Sequence, residues 1–319
     1  SLVNLSTLTA NLVPALDLYA DVILHPTFPE RDFQRQQKLQ ISRIQNEKTS
    51  PSQMALRVLP GILYGSGHAY GNPLTGTGTE ESVAKLTRAD LEKFHNAWFK
   101  PNNATLVVVG DVTMDQIKPK LEALFQGWQS GDVPQKNLAP VAEAKAPAIY
   151  IMDKPGAPQS VVIGGLATIS AADADDLAAS TMNFILGGDF VSRINMNIRE
   201  NKHWSYGARS LFFSSRVQQP FIVFAPVQGD KTAETVTELL GEMKGILSDK
   251  PITEAEFANA QASLTLSLPG EWETAAAIQN SLTEMVNFGR PDDYYATQAQ
   301  RIRSLTQADL LRAAQRTIH

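Results

Sequence analysis

A chain of 319 residues, 43% apolar and 19% charged, has the composition of a folded globular protein and exceeds what one hydrophobic core usually serves. Its net charge of −5, with Lys and Arg dispersed rather than gathered into a stripe, excludes a nucleic-acid partner. The absence of cysteine removes disulfides, thiolate metal sites and cysteine nucleophiles, and no window approaches the roughly 18 apolar residues of a membrane span.

In chain order, apolar periodicity predicts a helix over Leu12–Leu24, and a second helix runs from Asp32 to about Lys48 after Pro29-Glu30. Leu86-Thr87-Arg88-Ala89-Asp90-Leu91 opens an amphipathic helix with a Thr N-cap. Ala104-Thr105-Leu106-Val107-Val108-Val109-Gly110-Asp111 reads as a short buried strand ending in a Gly-Asp turn, with a helix following over Met114–Phe125. A stretch rich in Pro, Ala and charge then reads as a linker. Beyond it, Ile149–Met152 and Ser160–Ala167 read as strands, Asp173–Leu186 and Val191–Arg199 as helices, and Trp204–Phe213 and Phe221–Val227 as strands. A helical tail completes the chain, in which Trp272 and Ala275–Val286 show the spacing of a helical core. Strands and helices in mixed order predict an α+β fold with mixed, antiparallel-rich sheets.

The chain also repeats itself. Leu86–Leu91 returns as Leu305-Thr306-Gln307-Ala308-Asp309-Leu310, and Pro26–Phe33 answers to Pro251–Phe257 at nearly the same offset. Each of the latter pair follows a periodic helix, Leu12–Leu24 in one copy and Thr232–Leu247 in the other. The expectation is a tandem repeat of two related α/β units of roughly two hundred residues each. Residues 1–130 would be the C-terminal part of a first unit truncated at its N-terminus, 131–147 a linker, and 148–319 a second unit lacking its final strand.

The run Leu186-Gly187-Gly188-Asp189-Phe190-Val191-Ser192-Arg193-Ile194-Asn195-Met196-Asn197-Ile198-Arg199-Glu200, continuing to Trp204-Ser205-Tyr206-Gly207-Ala208-Arg209-Ser210, resembles the second-domain signature of pitrilysin/insulinase-type zinc peptidases. These are the inverzincins, relatives of the mitochondrial processing peptidase. Trp98-Phe99-Lys100-Pro101-Asn102-Asn103-Ala104-Thr105, leading into Val107–Asp111, resembles the ending of the same family's first domain.

The resemblance implies a zinc metalloendopeptidase in which an inverted His-x-x-Glu-His helix and a distal Glu hold the metal. None of His25, His68, His95, His203 and His319 lies four residues from another, so that motif is absent and no catalytic or metal ligand is assigned in this chain. Where active relatives carry consecutive glutamates, the helix here reads Gln40-Ile41-Ser42-Arg43-Ile44-Gln45-Asn46, leaving Glu47, expected to be a solvated charge. The chain alone is therefore expected to be inactive. It would form the non-catalytic half of a peptide-enclosing chamber, with zinc on a partner half, in the same polypeptide or a separate subunit, and an unfolded peptide as substrate.

Arg199 and Tyr206 match the Arg and Tyr that the family aims at bound peptide and at the charge developing on the scissile carbonyl, roles that suit a guanidinium and a phenol. The alternative is that Arg199 pairs with a local acid at a helix end and Tyr206 packs with its hydroxyl tied. Two further readings stand beside the peptidase half. One is a structural subunit resembling the core proteins of the respiratory cytochrome bc complex. The other is a fragment of an active peptidase whose motif lies in a missing N-terminal segment, with Glu47 or Glu30 as ligand. Exported bacterial relatives imply the periplasm.

Weaker signals have simpler readings. Gly65-Ser66-Gly67 and Gly76-Thr77-Gly78 lack the strand-to-helix context and Lys of a phosphate loop and read as loop glycines. Gly187-Gly188 reads as a helix C-cap and turn. His68 reads as a hydrogen-bonded loop residue and His203 as an exposed turn. Ser205 stands in no nucleophile motif.

Overall fold

The computed structural model describes residues 1–142 and 146–318; residues 143–145 of the expected linker and His319 lie outside the described residues. Helices α1 (Leu12–Leu24), α2 (Glu30–Glu47), α3 (Pro51–Tyr64), α4 (Glu80–Lys85), α5 (Arg88–Trp98) and α6 (Met114–Phe125) precede strand β1 (Gln159–Ala167). Helices α7 (Asp176–Asn183) and α8 (Arg193–Asn195), strands β2 (Arg209–Phe212) and β3 (Pro220–Gln228), and helices α9 (Thr232–Gly245) and α10 (Glu254–Glu271) follow. Helices α11 (Ala275–Phe288), α12 (Gln298–Ser304) and α13 (Gln307–Thr317) complete the described chain. Two units share these elements: Ser1–Ile44, Thr77–Lys136 and Glu273–Thr283 form one, and Gln45–Gly76, Asn137–Trp272 and Glu284–His319 the other.

The first unit is helical among the described residues. Leu16, Ala20 and Ile23 of α1 are buried, as are Val83 of α4 and Ile117 of α6. Reciprocal capping boxes open α4, α5 and α6 from Thr79, Thr87 and Thr113, so local side chains satisfy orphan amides at each start. Gln37 of α2 donates its Nε2 toward the carbonyls of Val83 (2.9 Å), Ala84 (3.4 Å) and Leu86 (3.0 Å), covering the exposed end of α4.

The second unit is built on a three-stranded antiparallel sheet of order β1-β3-β2. The register runs from Gln159↔Gln228 to Ala167↔Pro220 and from Arg209↔Phe224 to Phe212↔Phe221. The central strand β3 is a near-continuous apolar run, with Phe221, Ile222, Val223, Ala225 and Val227 all buried, as a strand covered on both faces requires. Met182 of α7, Ile194 of α8, Leu239 of α9 and Leu310 of α13 belong to the same core. Gln261 of α10 donates Nε2 toward the carbonyls of Ile302 (2.8 Å), Arg303 (3.2 Å) and Leu305 (3.3 Å) at the end of α12, and a Thr306–Asp309 capping box opens α13.

Several expectations need correction. Ala104–Asp111 is not a strand: Leu106 and Val108 are exposed, and the first unit offers no strand among the described residues for it to pair with. Ile149–Met152 is likewise unpaired, with Ile149 84% and Ile151 88% exposed. Apolar alternation supplies propensity, but a strand exists only where a ladder forms. The strand expected over Trp204–Phe213 shortens to Arg209–Phe212, because side-chain bonds from Ser205 hold the preceding residues in a loop. Helix α11 forms over its expected residues but buries none of them fully. Glu47 is not a solvated charge: it is 15% exposed and ion-paired with Arg57, itself 9% exposed.

Candidate functional site

The segment carrying the signature is held by close packing rather than by backbone conformation. After α7 the chain tightens into a π-helical turn over Phe184–Gly188. A Cβ on Gly187 would lie 2.3 Å from Ser210 Oγ and 2.5 Å from Ser210 N, so β2 approaches this turn as only glycine permits. Neither Gly187 nor Gly188 has positive φ, which corrects their reading as a C-cap turn. Across the same contact, Ser210 Oγ donates to Asn183 Oδ1 (2.5 Å) and Asn183 Nδ2 donates to the Ser210 carbonyl (3.2 Å).

Two side chains then fix the residues around the predicted pair. Asn195, nearly fully buried, donates Nδ2 to the Phe190 carbonyl (2.6 Å) and accepts the Ala208 amide on Oδ1 (3.1 Å). Ser205 Oγ accepts the Gly207 amide (3.0 Å) and donates to the Pro226 carbonyl (2.5 Å). His203 takes the left-handed conformation, φ +57°, in an exposed turn.

On this frame Tyr206 projects with 89% exposure, and its hydroxyl has no hydrogen-bond partner among the described residues. Arg199 lies in a second π-helical turn, Met196–Asn201. Its guanidinium sits 4.4 Å over the Phe190 ring and its Nε lies 3.3 Å from Glu200 Oε1, with the side chain 35% exposed. The structure shows no direct bond between Arg199 and Tyr206; Asn195 links their surroundings, through the Phe190 carbonyl on one side and the Ala208 amide on the other.

Sequence reasoning missed Asn195, Phe190 and the pair Arg193–Glu256. Arg193 bonds Glu256 with Nε and Nη2, each at 2.7 Å, and also donates to the carbonyls of Lys250 (2.5 Å) and Pro251 (2.8 Å). That guanidinium, chiefly, pulls the Glu256 carboxyl down to about 2. An Arg and a Glu bracketed by ordinary helix sequence give no local sign of such a pairing.

A zinc ion finds no donor set here. No group of three or more His, Cys, Asp or Glu among the described residues could hold a metal. Glu47 is engaged by Arg57. His68 uses both ring nitrogens, Nδ1 accepting the Tyr70 amide (3.1 Å) and Nε2 donating to the Ala139 carbonyl (3.1 Å), while stacked on Tyr64. His95 Nε2 bonds the Ile23 carbonyl at 2.7 Å. The glycines Gly65, Gly67, Gly76 and Gly78 all have positive φ, consistent with loop glycines.

Comparison with known proteins places these features. An uncharacterized zinc protease of Mycobacterium leprae is 27% identical over 265 residues, which cover 81% of this chain and 57% of that protein. The uncharacterized zinc protease YmxG of Bacillus subtilis is 22% identical, covering 80% and 60%. The chain thus spans less than two thirds of these relatives' length.

Among solved structures, a peptidase M16 inactive domain from Pseudomonas fluorescens has a TM-score of 0.85 at 23% identity, covering 98% of this chain and 73% of that one. The periplasmic protease PqqL from Escherichia coli has a TM-score of 0.72 at 22% identity, covering 97% and 34%. A chain of Complex III2 from Candida albicans has a TM-score of 0.69 at 16% identity, covering 97% and 74%. These likenesses establish a shared fold. No helix among the described residues is long and apolar enough to cross a membrane. Residues 85–264, more than half the chain and including the whole Leu186–Ser210 signature, match the Peptidase M16 inactive domain, and the chain belongs to that family of pitrilysin/insulinase-type metallopeptidases.

Proposed function

We propose that this chain is the non-catalytic portion of an insulinase-type zinc metalloendopeptidase. It walls one side of a chamber that encloses unfolded peptide, and it supplies Arg199 and Tyr206 to a zinc site on another half or subunit. The observation that carries this is Tyr206: a phenol 89% exposed, with no hydroxyl partner among the described residues, on a backbone pinned by Ser205 and Asn195. An unattached donor on a fixed frame suits an oxyanion or peptide carbonyl. The proposed periplasmic location has its support in the PqqL likeness.

The tandem organisation, with units over 1–130 and 148–319 joined by a linker at 131–147, is part of this reading. Its support is the matching use of Gln37 and Gln261 on the ends of α4 and α12, each followed by a Thr–Asp capping box. The first unit is read as the C-terminal part of its repeat and the second as lacking a final strand.

The test is peptide cleavage by the protein assembled with its His-x-x-Glu-His-bearing half. Arg199→Ala and Tyr206→Phe should each lower kcat by about 10- to 1000-fold, as loss of a transition-state donor does. Unchanged kinetics remove the proposed roles, and stoichiometric zinc on this chain alone overturns the non-catalytic assignment. A structural role without proteolysis is the second reading, favoured by the likeness to the Complex III2 chain. In that case no zinc-bearing half confers cleavage, and the chain co-purifies with a non-peptidase assembly.

A further inference from the structure

The signature carries an aromatic residue that the peptidase reading leaves unused. Phe190 is 59% exposed, and a single exposed aromatic ring is by itself ordinary. What sets it apart is that its face is occupied: the Arg199 guanidinium carbon stands 4.4 Å from the ring centroid, well within cation–π range.

The backbone beneath that ring is fixed from several directions. The Phe190 carbonyl accepts Asn195 Nδ2 at 2.6 Å, the Val191 amide donates to Asp189 Oδ2 at 3.1 Å, and the Ser192 amide donates to the Asp189 carbonyl at 3.2 Å. Glu200 Oε1 lies 3.3 Å from Arg199 Nε, an ion pair open to solvent on both side chains. One face of the guanidinium is thus occupied, while its terminal nitrogens make no hydrogen bond to protein among the described residues.

We infer that Phe190 is the positioning residue for Arg199: its ring holds the guanidinium plane so that the two terminal nitrogens can receive a peptide carbonyl. This rests on Arg199 being a peptide contact. An Arg side chain surrenders much rotamer freedom when it grips a ligand, and one already stacked surrenders less, so the ring adds affinity and geometry without touching the peptide. Leucine at 190 keeps the apolar bulk and removes the π-face; tryptophan keeps the face.

Two measurements test this, peptide binding on the chain assembled with its metal-depleted His-x-x-Glu-His-bearing half and relaxation on the 319-residue chain. The first is fluorescence anisotropy with a labelled, unstructured 20-residue peptide. The second is ¹⁵N relaxation at the Arg199 Nε–H group. Phe190→Leu should weaken peptide binding roughly two- to five-fold and raise Arg199 Nε mobility, with the thermal unfolding midpoint unchanged; Phe190→Trp should restore both.

If Phe190→Leu leaves Arg199 as ordered as in the native protein, the inference is overturned, whatever happens to binding. Weakened binding without added mobility means that Phe190 itself touches the peptide, which also overturns it. If native protein binds peptide but Arg199→Ala binds equally well, or if native protein binds none, the peptide-contact reading falls. The relaxation arm still decides whether Phe190 positions Arg199.

Discussion

Arg193 and Glu256 meet fork to fork, Nε on Oε1 and Nη2 on Oε2, both at 2.7 Å, although 63 residues separate them. Arg193 also holds the carbonyls of Lys250 and Pro251, so one guanidinium joins α8 to the chain entering α10. Arg193 is 13% exposed and Glu256 31%, so water competes only partly for these bonds. Arg193→Met strands the carboxylate and both carbonyls and should destabilise the protein by about 2–4 kcal/mol, read by denaturant unfolding. Arg193→Lys keeps the charge but not the fork and should recover only part of that loss. A Met variant as stable as the native protein would mean that the fork holds nothing together.

Acid sensitivity follows from the same pair. The Glu256 carboxyl lies at about 2 in the folded chain against a reference of 4.5, with Arg193 as the largest cause and the Thr253 bonds contributing. A depressed carboxyl stabilises the fold above its unfolded value, and that stabilisation is lost as pH falls through the folded value. Between about pH 4.5 and pH 2 the melting temperature of native protein should therefore fall faster than that of Glu256→Gln. Parallel melting curves across this window would refute the linkage.

Asp176 works in the opposite direction. Burial pushes its carboxyl up to about 6, against the lowering influence of Gln219 and Arg290, while the charges of Glu284 and Asp173 push it further up. Its Oδ1 accepts Gln219 Nε2 at 3.1 Å, and Oδ2 lies 3.4 Å from Arg290 Nη2. A raised carboxyl contributes stability that is complete below the unfolded value of 3.8 and lost as pH rises through about 6. On acidification from pH 7 to pH 5 this group should raise the melting temperature, and Asp176→Asn should remove that rise. Identical slopes for the two proteins over this interval would show that Asp176 titrates elsewhere.

Gly187 offers a test of packing. The Cβ of alanine there would meet Ser210 Oγ at 2.3 Å and Ser210 N at 2.5 Å, so either β2 or the Phe184–Gly188 turn must move. Gly187→Ala should cost about 3 kcal/mol and disturb the Asn183–Ser210 bonds that set the start of β2. Gly164→Ala in β1 meets no atom within 4 Å and serves as the control, neutral or slightly stabilising. Equal effects at the two positions would contradict the close approach of β2.

What the sequence disclosed divides by range. The Thr87–Asp90 and Thr306–Asp309 boxes span one helical turn, and both form as a Thr N-cap anticipates. The core runs of β1 and β3 carry their own apolar signature and pair. Ile149–Met152 and Ala104–Asp111 have apolar runs comparable to β1 and form no ladder, because a strand's existence depends on a neighbour that composition does not report. Glu47 looks solvated within its own helix, and Arg57, ten residues on, makes it half of a buried ion pair. The signature marks Arg199 and Tyr206, but the clamp by which Asn195 reaches the Ala208 amide, 13 residues on, leaves no trace in local sequence.

Gln37 and Gln261 give the last prediction. Each directs one Nε2 at three carbonyls closing a short helix, and the amides of Leu86 and Leu305 turn back to Val83 and Ile302 at 3.2 and 3.3 Å within those ends. Gln→Ala at either position should cost about 1 kcal/mol by stripping the carbonyls of their donor. Gln→Glu should cost more, since a carboxylate only accepts and would face other acceptors. Hydrogen exchange should localise the damage: Gln37→Ala should speed exchange at Leu86 and leave Leu305 protected, and Gln261→Ala the reverse. If either substitution loosened neither amide, the two glutamines would not be serving the same structural purpose, and the strongest local argument for the repeat would be lost.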